Sequence, residues 1–515
     1  MIKKISWILI NLFLLSSLTF SQQKYEFFIE FKDKLNNGFS IDAPQDFLSE
    51  RAIERRNRQQ IEITEQDLPV SGQYITYVKN NGATVLHQLK WFNGLIIQAD
   101  STTFLSLLEK PYITHGELIG EGLELNAKSK HKNGEYNRDY GLANSQIKML
   151  GADLLHEESY FGEGIFISII DGGFNKLDQL NAFSALRKSG RLKFTYDVPL
   201  GDTIQYNKNV HGMAVASTIF ADFEDGGFGI APKADLAIFR SEVVSFEQPI
   251  EEYFWIVAAE KSDSLGVDII NSSLGYSQFD DGWPSHIYAD LDGNTTMITK
   301  AADIASSKGM LVVVSAGNSG TDPWYYILAP ADADSVLTVG AVYSNESYAS
   351  FSSKGPTFDD RIKPEVVAQG GGAAILIENG QAINSNGTSF SAPIISGFAA
   401  LLWQKNRTFT AMELRNYIIG LGNNEMPDNF TGYGIPKYKN VTGVFDNEFS
   451  ETEKLYPNPV SDKLYYEGKG AYQLSSIQGN VIEKGFCNGE ISTEKLDAGS
   501  YFLLINNVKY LFIKL

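Results

Sequence analysis

The sequence predicts an α/β protein: a mostly parallel sheet flanked by helices, preceded by a small α+β domain and followed by a small all-β sandwich. Three observations predict this order. Residues 164–170 form a near-continuous apolar run, the pattern of a strand that a parallel sheet buries on both faces. Residues 25–31 alternate and are rich in aromatic side chains, which indicates an earlier strand. After residue 455, short alternating runs separated by Gly, Asn and Asp indicate further strands.

Length and composition set the number of domains and exclude several classes of protein. At about 150 residues per domain, the chain of 515 residues contains about three units. Its 43% hydrophobic and 20% charged residues exclude a disordered chain, a collagen or a coiled coil. A net charge of −19 repels phosphate backbones and argues against nucleic acid as a partner. The single cysteine, Cys487, excludes an intrachain disulfide and an all-cysteine zinc site.

The N-terminus has the pattern of a secretory signal peptide, predicted at 1–21. Lys3 and Lys4 precede an apolar run at 8–15, and small polar residues follow it. A membrane anchor is the weaker alternative, because Asn11 interrupts a run that is shorter than the ~20 apolar residues of a span. We therefore expect no transmembrane segment in the mature form.

The segment 22–138 carries its own pattern of strands and helices. The predicted elements are a strand at 25–31, a helix at 46–60, a strand pair at 84–89 and 95–99, and a helix at 102–109. Their order suggests a small ferredoxin-like domain. The helix at 46–60 carries four arginines outside its apolar stripe, and such a charged face is usually solvated. Residues 128–138 are polar and basic, as an exposed and cleavable linker is.

Three motifs between residues 140 and 445 carry the residue types of nucleophilic catalysis. Asp171 ends the buried strand, where open α/β sheets place their ligands. His211 begins a helix of small residues, and Ser389 stands just ahead of an apolar helix at 394–403. Each motif alone has an ordinary structural explanation, such as a turn aspartate or a serine N-cap. Together they supply a hydroxyl, a base with a near-neutral pKa and an anion that orients the base.

The order Asp, His, Ser along the chain is that of the subtilisins. The nucleophile motif reads Gly387-Thr388-Ser389-Phe390-Ser391-Ala392-Pro393, with further matches at 229–232, 268–275, 311–320, 351–356 and 363–368. With these motifs the chain resembles a subtilisin-like serine peptidase of the subtilase (S8) family over residues 139–446. The resemblance implies a subtilisin-like fold, an inhibitor-like propeptide at 22–138, and a secreted zymogen that hydrolyses peptide bonds as a serine endopeptidase.

The resemblance also implies a role for each catalytic residue. Ser389 is the nucleophile, His211 is the general base and acid, and Asp171 orients His211. Asn318 donates its side-chain amide to the oxyanion, together with the backbone N–H of Ser389.

Substrate contacts follow from the same resemblance. A protein or peptide substrate is expected to pair as an added strand along Ser273, Leu274 and Gly275. The pocket for the residue before the scissile bond, S1, is expected between this segment and Ala316-Gly317-Asn318. Bulky residues at 324–328 stand where the family often has glycine. We therefore expect a narrow or apolar S1 pocket with no preference for Lys or Arg.

Two positions depart from the family pattern. Gly172 follows the catalytic aspartate where the family commonly has Ser or Thr, so one hydroxyl contact to the carboxylate is lost. Met213 stands where the family often has Thr. Both departures affect the expected orientation of the catalytic side chains and the reaction rate, and neither removes a triad residue. The alternative left open is a catalytically inactive subtilase-fold protein that binds surfaces.

The segment 447–515 carries a second resemblance. Leu455-Tyr456-Pro457-Asn458-Pro459 and Leu496-Asp497-Ala498-Gly499-Ser500-Tyr501 resemble the C-terminal sorting domain of the type IX (Por) secretion system of Bacteroidetes. The resemblance implies export across the inner and outer membranes, with type IX secretion machinery as a partner, to a secreted or cell-surface location. An adhesive or carbohydrate-binding β-module is the alternative.

No cofactor is expected, and the sequence contains no His-Glu-x-x-His motif. Asp290-Leu291-Asp292-Gly293-Asn294 leaves a structural calcium site open. Its glycine is misplaced for an EF-hand loop, so an acidic turn is the favoured interpretation.

Overall fold

The computed structural model describes residues 23–121, 140–223, 226–227, 229–439, 455–457, 459–476, 481–505 and 508–514. The predicted signal peptide at 1–21, the linker at 128–138 and the domain boundary at 446–447 lie outside the described residues.

The secondary structure alternates between strands and helices along most of the chain. The helices are α1 Glu50–Gln59, α2 Gly72–Asn80, α3 Ser101–Leu108, α4 Asn144–Met149, α5 Ala152–Glu157, α6 Ser184–Lys188, α7 His211–Phe220, α8 Ile250–Leu265, α9 Met297–Ser307, α10 Thr388–Lys405 and α11 Ala411–Gly420. The strands are β1 Tyr25–Phe31, β2 Thr84–Leu89, β3 Gly94–Ala99, β4 Ile113–Glu121, β5 Phe166–Asp171, β6 Leu192–Asp197, β7 Asp222–Phe223, β8 Gly226–Gly227, β9 Asp235–Arg240, β10 Ile269–Ser272, β11 Leu311–Ser315, β12 Leu337–Tyr343, β13 Val366–Gly371, β14 Ala373–Leu376, β15 Ala382–Ser385, β16 Leu455–Tyr456, β17 Lys463–Ser476, β18 Val481–Ser492, β19 Gly499–Ile505 and β20 Val508–Lys514.

The central domain is built on a seven-stranded sheet in the order β13-β12-β11-β10-β5-β9-β6, and every neighbouring pair is parallel. Strand β5 is buried on both faces: Ile167 and Ile169 join one core, and Phe166 and Ile170 join the other. Helices α7 and α10 pack on the first side, and α8 and α9 on the second. The predicted parallel sheet with flanking helices is confirmed.

The N-terminal domain is an antiparallel sheet in the order β2-β3-β1-β4 with helices α2 and α3, which confirms the ferredoxin-like prediction. The predicted helix at 46–60 begins later, at Glu50, because Ser49 caps it by accepting a hydrogen bond from Ala52 N. It is an additional helix, and the domain's own first helix is α2, which sequence analysis missed. Helix α2 contains Tyr, Ile, Thr, Tyr and Val, which have only modest helix propensity.

The N-terminal sheet packs on helix α8 of the central domain. Phe28, Trp91 and Ile96 share an apolar core with Tyr253 and Phe254. The Phe28 and Tyr253 rings lie 5.0 Å apart. The two domains are therefore joined by continuous apolar packing.

The C-terminal domain is all-β, as predicted. Its described strands form one five-stranded antiparallel sheet in which β17 pairs with β16, β18 and β19, and β19 pairs with β20. Strand β17 has a register irregularity between Tyr465 and Lys469. Within the described part of the chain, no helix combines the length and apolar character that a membrane span requires.

Candidate active site

The predicted catalytic residues lie at the carboxyl edge of the central sheet. Asp171 is the last residue of β5, Ser273 follows β10, and Asn318 follows β11. His211 is the first residue of α7, and Ser389 is the second residue of α10. Because all strands of this sheet are parallel, their carboxyl ends share one edge, where open α/β folds bind ligands.

Asp171 and His211 are joined by a hydrogen bond. The Nδ1 atom of His211 lies 2.8 Å from Oδ1 of Asp171, and the Asp171 side chain is only 1% exposed. A side chain at Gly212 would meet Gly173 O at 2.7 Å, so glycine lets helix α7 approach the strand end closely. The backbone N–H of His211 donates to Asn209 Oδ1 at 2.7 Å. These contacts fix the imidazole with Nδ1 toward the carboxylate.

The environment of His211 raises its pKa above the usual value. Burial alone would lower this pKa, but the charge and hydrogen bond of Asp171, and the charge of Glu242, outweigh burial. The His211 side chain is 36% exposed, so one face of the imidazole is open to solvent. A base held in this way accepts a proton near neutral pH.

Ser389 lies in the first turn of α10, which begins six residues before the predicted helix start at residue 394. Helix α10 begins at Thr388 and continues through Pro393, which has no N–H to donate to the carbonyl of Ser389 four residues earlier. That carbonyl accepts a hydrogen bond from Ser273 Oγ at 2.9 Å instead. The backbone N–H of Ser389 is thus among the donors that a helix N-terminus leaves unpaired.

The hydroxyl of Ser389 contacts the substrate segment in this structure. Ser389 Oγ donates to Ser273 O at 3.2 Å, and Ser273 Oγ donates to Ser389 O at 2.9 Å. Among the described residues, no hydrogen bond joins Ser389 to His211. Catalytic hydrogen bonds are often long before substrate binds.

Asn318 is oriented by Thr388, a residue that sequence analysis did not single out. Asn318 Oδ1 accepts hydrogen bonds from Thr388 N at 2.9 Å and from Thr388 Oγ1 at 3.1 Å. Its oxygen is therefore occupied, and the Nδ2 amide is left as the donor of an exposed side chain. The signal that could have identified Thr388 is its position directly before Ser389 in the sequence.

The segment Ser273, Leu274 and Gly275 extends from β10 beyond the edge of the sheet. Among the described residues, no hydrogen bond uses the main-chain groups of Leu274 or Gly275. Such free N–H and C=O groups can pair with an added strand.

Leu328 closes the space between the two walls of the predicted S1 pocket. A side chain at Gly275 would meet Leu328 Cβ at 2.9 Å, and one at Gly317 would meet Leu328 Cγ at 2.8 Å. Ala316 forms part of the same wall through its carbonyl, which accepts from Leu328 N at 3.2 Å. The side chain between these walls is therefore aliphatic and carries no charge.

An acidic pocket beside the imidazole is a feature that sequence analysis missed. Glu242, Glu247 and Glu251 come within 4.8 Å of one another, and they line a pocket of about 300 Å³ together with Asp171 and His211. Burial raises the pKa of Glu242 to about 8 and that of Glu247 to about 7. These residues are spread over a loop and a helix, so no local motif signalled them.

The two departures from the family pattern have visible consequences. Gly172 donates its backbone N–H to Asp171 Oδ1 at 2.7 Å, but it has no hydroxyl. Asp171 Oδ2 is buried and has no hydrogen-bond partner in the described part of the chain. Met213 is fully buried in the core beneath α7.

The acidic loop at 290–294 does not bring its carboxylates together in a metal-binding cluster. Asp292 Oδ1 accepts from Asn294 N and Thr295 N at 2.8 Å each, and Asp290 Oδ2 accepts from Ile287 N at 2.9 Å. These bonds direct the oxygens to the local backbone.

Three segments of the chain match known families. Residues 162–434 match the subtilase family, residues 26–136 match the S8 peptidase propeptide domain of Bacteroidota, and residues 454–514 match the secretion system C-terminal sorting domain.

Individual relatives agree with these matches. Subtilisin DY of Bacillus licheniformis is 31% identical over 292 residues, which cover 56% of this chain and 94% of the relative. Subtilisin E of Bacillus subtilis (strain 168) is 29% identical over 342 residues, which cover 66% of this chain and 78% of the relative. A crystal structure of MycP1 with its N-terminal propeptide removed has a TM-score of 0.46 and 23% identity, and covers 57% of this chain and 94% of that one. The chain therefore belongs to the subtilase family of serine peptidases, made with a propeptide and a C-terminal sorting domain.

Proposed function

We propose that Asp171, His211 and Ser389 form the catalytic triad of this secreted serine endopeptidase. The observation that carries the proposal is the 2.8 Å hydrogen bond between His211 Nδ1 and Asp171 Oδ1, at the sheet edge where Ser389 also lies. In the reaction, His211 Nε2 takes the proton of Ser389 as Oγ attacks the peptide carbonyl, and then passes it to the leaving amine. Asp171 keeps the imidazole in one tautomer and offsets its positive charge.

The oxyanion of the tetrahedral intermediate would be stabilised by two donors. One is Nδ2 of Asn318, whose oxygen is held by Thr388. The other is the backbone N–H of Ser389, at a helix N-terminus whose dipole favours negative charge. Both donors are fixed by the fold before substrate arrives, so little reorganisation accompanies charge development.

We propose that substrate binding uses Ser273, Leu274 and Gly275 on one side and Ala316 and Gly317 on the other. Main-chain pairing accepts any sequence, so selectivity comes from the pockets. Leu328 between Gly275 and Gly317 supports an S1 pocket that favours small or slender apolar side chains. We expect no preference for Lys or Arg there, because the segment 324–328 contains no acidic residue.

The domain boundaries follow the same assignment. We propose a signal peptide at 1–21, a propeptide at 22–138, a catalytic domain at 139–446 and a sorting domain at 447–515. The catalytic steps use only side chains and backbone groups of the chain, so we propose that the reaction needs no cofactor. Protein or peptide substrates, the propeptide and type IX secretion machinery are the partners, and nucleic acid is not one.

The location of the mature enzyme is proposed to be outside the cell, released or attached to the cell surface. The sorting-domain match at 454–514 supports delivery across the outer membrane, and the predicted signal peptide supplies the earlier passage across the inner membrane.

The proposal is tested by labelling the purified protein with a fluorophosphonate and measuring peptide hydrolysis. Ser389→Ala is expected to abolish labelling and to lower kcat by about 10⁶-fold. Ser391→Ala is the matched control, because this neighbouring hydroxyl donates to Thr388 O at 3.0 Å and takes no part in the proposed steps. A parent protein without labelling or activity would favour the inactive surface-binding alternative.

A further inference from the structure

Helix α1 contacts the edge of the catalytic sheet opposite the active site. Its cap residue Ser49 donates its backbone N–H to Ser264 O at 2.9 Å, and Gln59 Nε2 donates to Gly309 O at 2.8 Å. These acceptors precede β10 and β11, whereas Ser273 and Asn318 follow the same strands. Helix α1 thus contacts the amino edge of the sheet, whereas the triad lies at the carboxyl edge.

Arg55 is the most completely bound side chain of this helix. It is 1% exposed, and each guanidinium nitrogen donates to the catalytic domain. Nε donates to Lys308 O at 3.1 Å, Nη1 to Val267 O, and Nη2 to Asp263 Oδ1 at 2.6 Å. The prediction that the arginine face of this helix is solvated is therefore wrong for Arg55, which is buried against the catalytic domain.

Asp263, on helix α8, receives its ion pairs from the propeptide. Arg56 Nη2 lies 2.8 Å from Asp263 Oδ1, and Lys90 Nζ lies 2.9 Å from Oδ2, in addition to Arg55. Burial alone would raise the pKa of Asp263, but these three cations hold it well below the usual value. The catalytic domain thus contributes a buried carboxylate, and within the described part of the chain its ion-pair partners belong to the propeptide.

Beside Asp263 lies a second ion pair, in which the catalytic domain supplies the cation and the propeptide supplies the carboxylate. Lys308 Nζ of the catalytic domain lies 3.1 Å from Oδ1 of Asp67 in the propeptide, and Arg56 Nη2 lies 2.9 Å from the same oxygen. Each domain therefore buries a charge that the other neutralises. Removing one partner of such a set leaves an uncompensated buried charge, which is strongly unfavourable.

We propose that the Asp263 carboxylate and the main-chain carbonyls of Val267 and Lys308 form a carboxylate socket, a second propeptide-binding site that acts independently of the active-site cleft. The group that binds in this socket is the guanidinium of Arg55, on helix α1. Cutting the linker between the domains does not by itself release the propeptide. The proposal goes beyond the proposed function, because it holds whether or not Ser389 is catalytic.

The test uses the full chain with Ser389→Ala, so that no self-digestion occurs. A cleavage site for a site-specific protease is inserted after Gly122, so the cut fragment ends one residue beyond β4. Co-elution of fragment and catalytic domain on gel filtration, followed through a dilution series, gives the Kd of the cut complex.

Arg55→Met and Asp263→Asn are each expected to weaken the complex by at least about 100-fold. Arg58→Gln is the matched control on the same helix, because Arg58 is 30% exposed, lies 3.3 Å from Asp268 and 5.9 Å from the Trp403 ring centroid, and leaves Asp268 paired with Arg51 when it is removed. A partly exposed ion pair contributes little to binding, so we expect Arg58→Gln to raise the Kd of the cut complex by less than about fivefold. Arg55→Lys retains the charge but loses the planar fork, and is expected to weaken binding about tenfold.

Thermal unfolding of each uncut chain shows which variants are folded. Arg55→Lys tests the socket even where Arg55→Met lowers the yield of folded protein, since it keeps the charge that neutralises Asp263. The proposal is overturned if the parent fragment dissociates as soon as it is cut. It is equally overturned if the folded Arg55 variants bind as tightly as the parent, or if Arg58→Gln weakens binding as much as they do.

Discussion

The Nδ1 atom of His211 lies 2.8 Å from Oδ1 of Asp171, and this hydrogen bond ties a helix N-terminus to the end of a buried strand. The two residues are separated by forty positions in the chain, and Gly212 allows the backbones to approach. Their pairing leaves Nε2 as the nitrogen that can accept a proton from Ser389, the proposed nucleophile.

Activity should fall on the acid side with an apparent pKa above 6.5. His211 must be neutral to accept the Ser389 proton, and Asp171 and Glu242 raise its pKa above that usual value despite burial. Activity is therefore lost as pH falls through the raised pKa, which a profile of kcat/KM against pH measures. Asp171→Asn is expected to lower kcat by about 10⁴-fold. An acid limb at or below pH 6.5 in the parent would contradict this assignment.

Loss of the Asn318 amide should slow turnover without preventing it. Asn318→Leu is expected to lower kcat by about 10²–10³-fold with KM little changed, because the amide contacts the oxyanion only after attack. Steady-state kinetics on one peptide substrate measure both constants. An unchanged kcat would remove Asn318 from the oxyanion hole.

Thr388 should act on the same step through Asn318. Thr388→Val removes the 3.1 Å hydrogen bond to Asn318 Oδ1 but keeps the backbone donor at 2.9 Å. We expect kcat to fall about three- to tenfold, the value of one hydrogen bond. In a protein that already carries Asn318→Leu, Thr388→Val should cause almost no further fall in kcat. If the double variant instead shows the full effects of both substitutions, Thr388 acts through another residue.

Shortening Leu328 should widen the S1 pocket. Leu328→Ala opens the space between Gly275 and Gly317, so kcat/KM for substrates with Phe or Tyr before the scissile bond should rise relative to those with Ala. Methylene-scale pocket changes shift such ratios about 10–200-fold. A peptide-library profile that is unchanged by the substitution, or a parent profile dominated by Lys or Arg, would contradict the pocket assignment.

Removal of the sorting domain should change location and leave catalysis intact. Deletion of 447–515 is expected to prevent delivery beyond the outer membrane in the native host, while the purified enzyme keeps the kcat/KM of the parent. Fractionation with an antibody to the catalytic domain measures the first result. Normal export of the truncated chain would exclude this segment as the sorting signal.

Periodicity predicted the fold where elements are long and their pattern is uniform. The apolar run before Asp171 has the pattern of a buried parallel strand, and the structure confirms β5 there. Helix α2 was missed because its residues have no strong helix propensity and it is stabilised by packing under the N-terminal sheet. The start of α10 was predicted at residue 394, where the apolar run begins, but the helix begins at Thr388.

The site was predictable only as far as local motifs reach. Asp171, His211 and Ser389 each stand in a distinctive short motif, so their residue types could be assigned before their positions were known. Glu242 comes from a loop that approaches the site through tertiary packing, and no spacing signals it. Leu328 was predicted only as part of the bulky run 324–328. The buried state of Arg55 likewise depends on Asp263, which lies far away in the sequence.

The central claim is that Ser389 is the nucleophile of an active zymogen, and intact-mass analysis of the purified full chain tests it most directly. The account predicts that the parent removes its own N-terminal segment within 128–138, and that Ser389→Ala keeps this segment under the same conditions. A parent that stays uncut, or an alanine variant that cuts itself at the same place and rate, would contradict the account.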